Sequence, residues 1–149
     1  MRRILALLLA ATLWLCLAPA LAAADDAAPR LAAFARELRL RDVDGFVETI
    51  RALRAANRLP DRYLTKREAE ALGWRPGEDL CRMARGRVIG GDRFHNRERR
   101  LPEARGRTWR EADLDFDCGR RGARRLVFSS DGLIYVTVDH YESFREVPR

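Results

Sequence analysis

Arg124-Arg125-Leu126-Val127-Phe128-Ser129-Ser130-Asp131-Gly132-Leu133-Ile134-Tyr135-Val136-Thr137-Val138 decides the fold. Arg124 to Phe128 and Leu133 to Val138 are short runs rich in β-branched and aromatic residues. Between them Ser129-Ser130-Asp131-Gly132 supplies a turn with Asp-Gly at its tip, so the whole stretch reads as a β-hairpin. Working outward, Thr108 to Leu114 reads as another strand. Alternation places Trp109, Glu111 and Asp113 on one of its faces and Arg110, Ala112 and Leu114 on the other. Val88-Ile89-Gly90-Gly91 opens an earlier strand, and the last one lies near Phe144 to Val147.

Before Val88 the apolar period lengthens. Phe46, Ile50 and Leu53 sit one turn apart, which predicts an amphipathic helix stopping near Leu59-Pro60. Thr65-Lys66-Arg67-Glu68 is a capping box for a second short helix, with Gly73 as its stop. A third short helix is expected around Asp79 to Ala84. Helices first and strands afterwards predict an α+β fold, with three N-terminal helices packed on an antiparallel β-sheet and the other sheet face free for a ligand. Residues 23–45 are alanine-rich and charged, with Leu31, Phe34 and Leu38 at helical spacing. They read as a pro-segment, a linker or an extra helix.

The first 22 of the 149 residues read as a secretory signal peptide: Arg2 and Arg3 are its basic start, Ile4 to Leu17 its apolar run, and Ala20-Leu21-Ala22 its small-residue cleavage site. The apolar run is shorter than a membrane span, so the mature form is expected to carry no membrane anchor. Its expected destination is outside the cytoplasm, extracellular or periplasmic if the cell has an outer membrane. Losing two arginines lowers the formal net charge from +7 to +5, and the domain over residues 46–149 stays basic. That balance favours polyanion partners without identifying one. Cys81 and Cys118 then remain, an even count that permits one disulfide. With two histidines in the chain and no ligand spacing around those cysteines, no metal and no other cofactor is expected.

Several segments stand in one order: Leu59 to Lys66, Ile89-Gly90-Gly91-Asp92, Gly106 to Asp113, Arg121 and Arg125, Ser129 to Tyr135, and Asp139-His140-Tyr141. Over roughly Phe46 to Val147 they resemble the barnase family of secreted bacterial guanyl-preferring ribonucleases. The resemblance implies the microbial ribonuclease fold and cleavage of single-stranded RNA without metal. Such cleavage needs a base for the 2′-hydroxyl proton, cations for the phosphoryl oxygens and an acid for the departing 5′-oxygen. By resemblance Glu111 is the base, His140 the acid, Arg121 and Arg125 the phosphate-binding arginines, and Lys66 the lysine of the catalytic site. The product would be a 2′,3′-cyclic phosphate, hydrolysed afterwards with acid and base reversed.

Base recognition falls by the same resemblance to Phe94-His95-Asn96-Arg97-Glu98. Glu98 would accept from guanine N1–H and N2–H, while backbone amides around Asn96 and Arg97 meet O6. The alternative for Asn96 is a turn residue only. Asp92 would organise Lys66 and Arg121 by charge, Tyr141 would stack beside the bound base, and Asp139 would tie down its loop. The family's fold also runs the segments of Cys81 and Cys118 side by side, which makes them a disulfide pair, two buried free thiols being the alternative. Gly132, Arg120, Arg124 and His95 depart from the family pattern and bear on subsites and pH optimum. A barstar-like acidic protein inhibitor is implied as a partner, and a monomer is expected. The competing readings are a non-catalytic basic polyanion-binding module and a toxin domain delivered to competing cells.

Overall fold

A computed structural model of the protein describes residues 18–149, with side-chain surroundings from residue 27 onward. The signal-peptide features from Arg2 to Leu17 lie outside the described residues. In chain order come α1 (Ala18–Glu37), α2 (Val43–Ala56), β1 (Tyr63–Leu64), α3 (Lys66–Ala71), a 3-10 turn (Leu80–Arg82), β2 (Val88–Phe94), β3 (Trp109–Asp113), β4 (Arg125–Ser129), β5 (Ile134–Thr137) and β6 (Arg145–Glu146). None of the described helices is long and apolar enough to cross a membrane.

Helix α2 begins three residues before the apolar period does, because the Asp42 side chain caps it by accepting from the Gly45 N–H at 2.9 Å. It ends at Asn57, whose left-handed backbone (φ 48°) turns the chain toward Leu59. The capping box of α3 forms with both of its hydrogen bonds. At the other end the Gly73 N–H donates to Glu70 O and the Trp74 N–H to Ala69 O, the paired bonds of a Schellman stop, with Gly73 at φ 95°. The third helix expected from sequence is one 3-10 turn capped by Asp79.

The six strands lie in sequence order. From β2 to β6 every pairing is antiparallel, whereas β1 joins β2 in parallel at one edge, since α3 and the 3-10 turn carry the chain back to the same end of the sheet. Between Gly90 and Asp92 the register with β3 shifts by a bulge. Gly91 takes φ 97° there, and a Cβ on Gly90 would lie 2.6 Å from the Tyr63 ring and 2.8 Å from Ala112 Cβ. Both glycines are therefore required, and the bulge sets Asp92 opposite Glu111.

One sheet face carries the main core: Phe46, Ile50 and Leu53 of α2 pack with Ala112, Leu126, Phe128 and Val136. Helix α1 belongs to it. Leu31, Phe34, Ala35 and Leu40 are buried in the same cluster, and the Phe34 ring stacks on Phe46 at 6.2 Å. Within residues 23–45, left open between a pro-segment, a linker and an extra helix, the chain is helical as far as Glu37 and packs on this core. The opposite face is only partly free: Trp109, Val127 and Leu101 are buried there with Phe94, Tyr135 and Phe144 around them. Beyond that patch the same face presents Glu111, Asp113 and Arg125.

Candidate active site

Strand alternation on β3 and β4 builds the floor. Trp109, Glu111 and Asp113 share a face, and Asp113 is paired in register with Arg125. Glu111 is buried to 9 % exposure yet meets the cleft. Its two oxygens have separate partners: Lys66 Nζ lies 3.2 Å from Oε1, and the Tyr141 hydroxyl donates to Oε2 at 2.6 Å. Burial first, and then the Glu111 carboxylate, push the Tyr141 hydroxyl well above the ordinary tyrosine range, so it stays a donor at working pH.

Lys66 sits at the first position of α3, where the helix dipole disfavours a cation. Two carboxylates compensate. Glu111 faces its ammonium, and Asp92 Oδ2 accepts from its backbone N–H at 3.0 Å. The expectation that Asp92 also organises Arg121 does not hold: the fork of Arg121 grips Asp113, Nε to Oδ2 at 2.5 Å and Nη2 to Oδ1 at 2.6 Å. Distance along the strand explains this, because Asp113 projects beside the loop that carries Arg121. Arg125 Nε lies 2.9 Å from Oδ1 of the same carboxylate, the oxygen that Arg121 Nη2 also reaches. Burial works against the Arg121 charge, but Asp113 outweighs it and holds the guanidinium above its usual value.

His140 and Tyr141 form the facing turn, both with left-handed backbones (φ 57° and 73°). Their rings are 5.0 Å apart, and the His140 N–H donates to Ala123 O in the loop between the two arginines. Asp139 ties the turn down, as expected: it accepts from the Ser143 hydroxyl and N–H and from the Thr137 hydroxyl. Those bonds, the Ser143 ones foremost, lower its carboxyl to about 2.

Phe94, His95, Asn96, Glu98, Glu111 and Tyr141 line one cleft of about 380 Å³, so the base loop and the carboxylate share a cavity. Arg97 lines it as well. The Asn96 side chain is buried and spent on the loop, with Nδ2 donating to Leu101 O at 2.9 Å and Oδ1 accepting from the Leu101 N–H at 3.0 Å. Its turn role is therefore real: the side chain holds the bend of a loop whose residues line the cleft. Phe94 stacks on Tyr141 at 5.3 Å.

Three residues that the sequence reading passed over belong here. Asp113 anchors both arginines, and its strand position two residues beyond Glu111 was the available signal. Phe144 closes the aromatic wall, its ring 6.1 Å from Phe94. Arg100 reaches Glu98 at 2.7 Å and the Tyr141 carbonyl at 3.1 Å, from 41 residues away, with no local signature.

Cys81 and Cys118 form a disulfide, their Cα atoms 5.4 Å apart. Asp79 reinforces it, Oδ1 accepting from the N–H groups of Cys81 and Gly119 at 3.0 and 2.8 Å. The loop leading to Arg121 is thereby held to the 3-10 turn.

Residues 49–148 match the model of a family described as ribonuclease. Among individual relatives, a ribonuclease of Heyndrickxia coagulans is 57% identical over 91 residues, which is 60% of this chain and 84% of that protein. A ribonuclease of Bacillus intermedius has the same identity over the same length, covering 60% of this chain and 56% of its own. A guanyl-specific ribonuclease St of Saccharopolyspora erythraea is 43% identical over 56 residues, 37% of this chain and 55% of that one.

Proposed function

The chain belongs to the ribonuclease family, as an endoribonuclease of the barnase-like microbial group, and on that premise we propose that it cleaves single-stranded RNA after guanosine by transphosphorylation followed by hydrolysis. One observation carries the reading: the carboxylate of Glu111, flanked by Lys66 and Tyr141, opens into the same cleft as the Phe94–Glu98 loop. A base held by that loop brings its own ribose and 3′-phosphate toward the carboxylate.

Glu111 takes the 2′-hydroxyl proton as that oxygen attacks phosphorus. Charge building on the phosphoryl oxygens is met by the guanidinium groups of Arg121 and Arg125 and by the Lys66 ammonium, all placed before substrate arrives. His140, as imidazolium, gives its proton to the departing 5′-oxygen. In the second step His140 takes a proton from water and Glu111 returns one to the 2′-oxygen, which opens the cyclic phosphate.

Guanine preference follows from Glu98, which can accept from N1–H and N2–H together, a donor pair that adenine lacks. The disulfide suits an oxidising destination, in keeping with export. The test is incubation of the mature protein with guanosine- and adenosine-containing dinucleotides, with and without a chelator. Guanosine-dependent formation of a 2′,3′-cyclic phosphate in both conditions is expected. RNA retention without cleavage would instead support a polyanion-binding module.

A further inference from the structure

Arg100 joins two segments that are far apart in the chain. Its Nε meets Glu98 Oε2 at 2.7 Å, while Nη1 donates to the Tyr141 carbonyl at 3.1 Å and to the Glu142 carbonyl. Nη1 also lies 3.5 Å from Glu142 Oε2. A planar guanidinium serves such divergent acceptors with five donors in a fixed fork, where a lysine ammonium has three donors and no fixed plane. As a bare ion pair the contact contributes little, because the Glu98 side chain is 70% exposed. What it sets is geometry: the carboxylate of the base loop and the carbonyls of the catalytic turn share one anchor.

The turn so anchored carries two consecutive left-handed residues. His140 and Tyr141 keep positive φ values that non-glycine residues hold only when their surroundings impose them. Arg100 grips the turn from its carbonyl side, and Thr137 Oγ1 accepts from the Tyr141 N–H at 2.9 Å. From there the Tyr141 side chain reaches in both directions relevant to cleavage. Its ring stacks on Phe94 of the base loop, and its hydroxyl bonds Glu111. At 5.3 Å between centroids the two rings leave no space for a third. A base can therefore seat only against an outer face of the pair, where it bears on the ring whose hydroxyl bonds Glu111.

We propose that Arg100 is a positioning residue that locks Glu98 to the His140–Tyr141 turn, so that seating a guanine is transmitted to Glu111 through the Tyr141 hydroxyl. The inference rests on the guanosine reading above and deepens it. Guanine is held by Glu98, Glu98 is held by Arg100, and Arg100 keeps the turn still while the base bears on the tyrosine ring. A base that does not engage Glu98 gains nothing from the latch.

Steady-state cleavage of guanosine and adenosine dinucleotides across pH tests this, with Arg100→Gln and Arg100→Lys. Arg100→Gln should lower kcat/KM for the guanosine substrate about tenfold, the worth of one charge-assisted hydrogen bond, and lower it less for the adenosine substrate, which uses the same turn but does not engage Glu98. Because Tyr141 is then less firmly held on Glu111, the acid limb of the kcat/KM profile should move to higher pH, as it should in Tyr141→Phe. Arg100→Lys should not restore the guanosine rate. The Glu98→Gln/Arg100→Gln double variant should be slower on guanosine than Glu98→Gln alone by no more than Arg100→Gln slows the adenosine substrate. Equal losses on both bases, an unmoved acid limb, or full rescue by lysine overturns the latch while leaving the function intact. A wild-type enzyme with no guanosine preference overturns the base-loop reading itself, and the latch with it.

Discussion

Arg121 binds Asp113 through both Nε and Nη2, at 2.5 and 2.6 Å, while Arg125 approaches the same carboxylate at 2.9 Å. One buried acid thus holds two cations two residues along the strand from Glu111. Without it, two guanidinium groups would repel each other at the edge of the cleft. With it, their remaining N–H groups are oriented in advance, which is how a phosphate site avoids reorganisation during the reaction.

Asp113→Asn should therefore destabilise the protein by about 3 kcal/mol, the lower end for breaking a buried pair, since Arg121 keeps some contact with water. Urea denaturation at neutral pH measures it. The variant should also lose kcat on dinucleotides, because both arginines lose their anchor. A loss below about 1 kcal/mol would mean that the carboxylate is not the anchor described.

The acid and base assignment is tested by single replacements. Glu111→Ala should lower dinucleotide cleavage by about 10²-fold or more, the lower range for a general base. His140→Ala should remove most activity, whereas His95→Ala, on the base loop, should act mainly on substrate affinity. Near-normal turnover in His140→Ala together with an inactive His95→Ala reverses the assignment of the two histidines.

Asp139 makes the catalytic turn sensitive to acid. Its carboxyl is lowered to about 2 by the Ser143 and Thr137 bonds, so its contribution to stability is fully present above the ordinary carboxylate range, about 3.9. That contribution is lost as pH falls toward the folded-state value. Asp139→Asn should melt below wild type at pH 7 by a margin that stays constant to about pH 5 and shrinks below about pH 4. A margin independent of pH down to about 2 would remove the charge from the explanation.

Reducing the Cys81–Cys118 disulfide frees a segment of 37 residues in sequence separation. The chain-entropy model puts its stabilisation at about 4 kcal/mol at most. The melting temperature with thiol reductant should fall, and cleavage should weaken with it, since the loop before Arg121 loses its tether. Intact mass with and without reductant verifies the oxidation state, and an unchanged melting temperature after confirmed reduction would dismiss the structural role.

Much of this was legible because it is local. The capping box at Thr65 and Glu68, the Asp131-Gly132 hairpin and the alternation that puts Glu111 and Asp113 on one face depend only on near neighbours. The two-residue strand β1 was not legible, because Tyr63 and Leu64 pair with Val88 and Ile89 only after a crossover brings them back. Arg100 was hidden for the same reason, its partners on the catalytic turn lying 41 and 42 residues away. The sharing of Asp113 by Arg121 and Arg125 needed the loop geometry that the disulfide imposes.

Helix α1 gives the sharpest case, because its residues precede the 49–148 stretch that matches the family. Its alanine-rich composition suits a removable segment as well as a helix, yet Leu31 and Ala35 are 1% and 0% exposed in the core shared with Ile50 and Leu126. Phe34 stacks on Phe46, and Arg145 of β6 lies 5.7 Å over its ring while pairing with Glu37 at 2.8 Å. The helix therefore covers apolar surface that α2 and the sheet cannot cover alone, and it braces the last strand. Phe34→Ala should cost about 3–5 kcal/mol through transfer and cavity terms. A chain beginning at residue 41 should melt well below one beginning at residue 23 and expose apolar surface to a hydrophobic dye. Equal melting temperatures for the two chains would show that residues 23–40 are dispensable, as a pro-segment or linker would be.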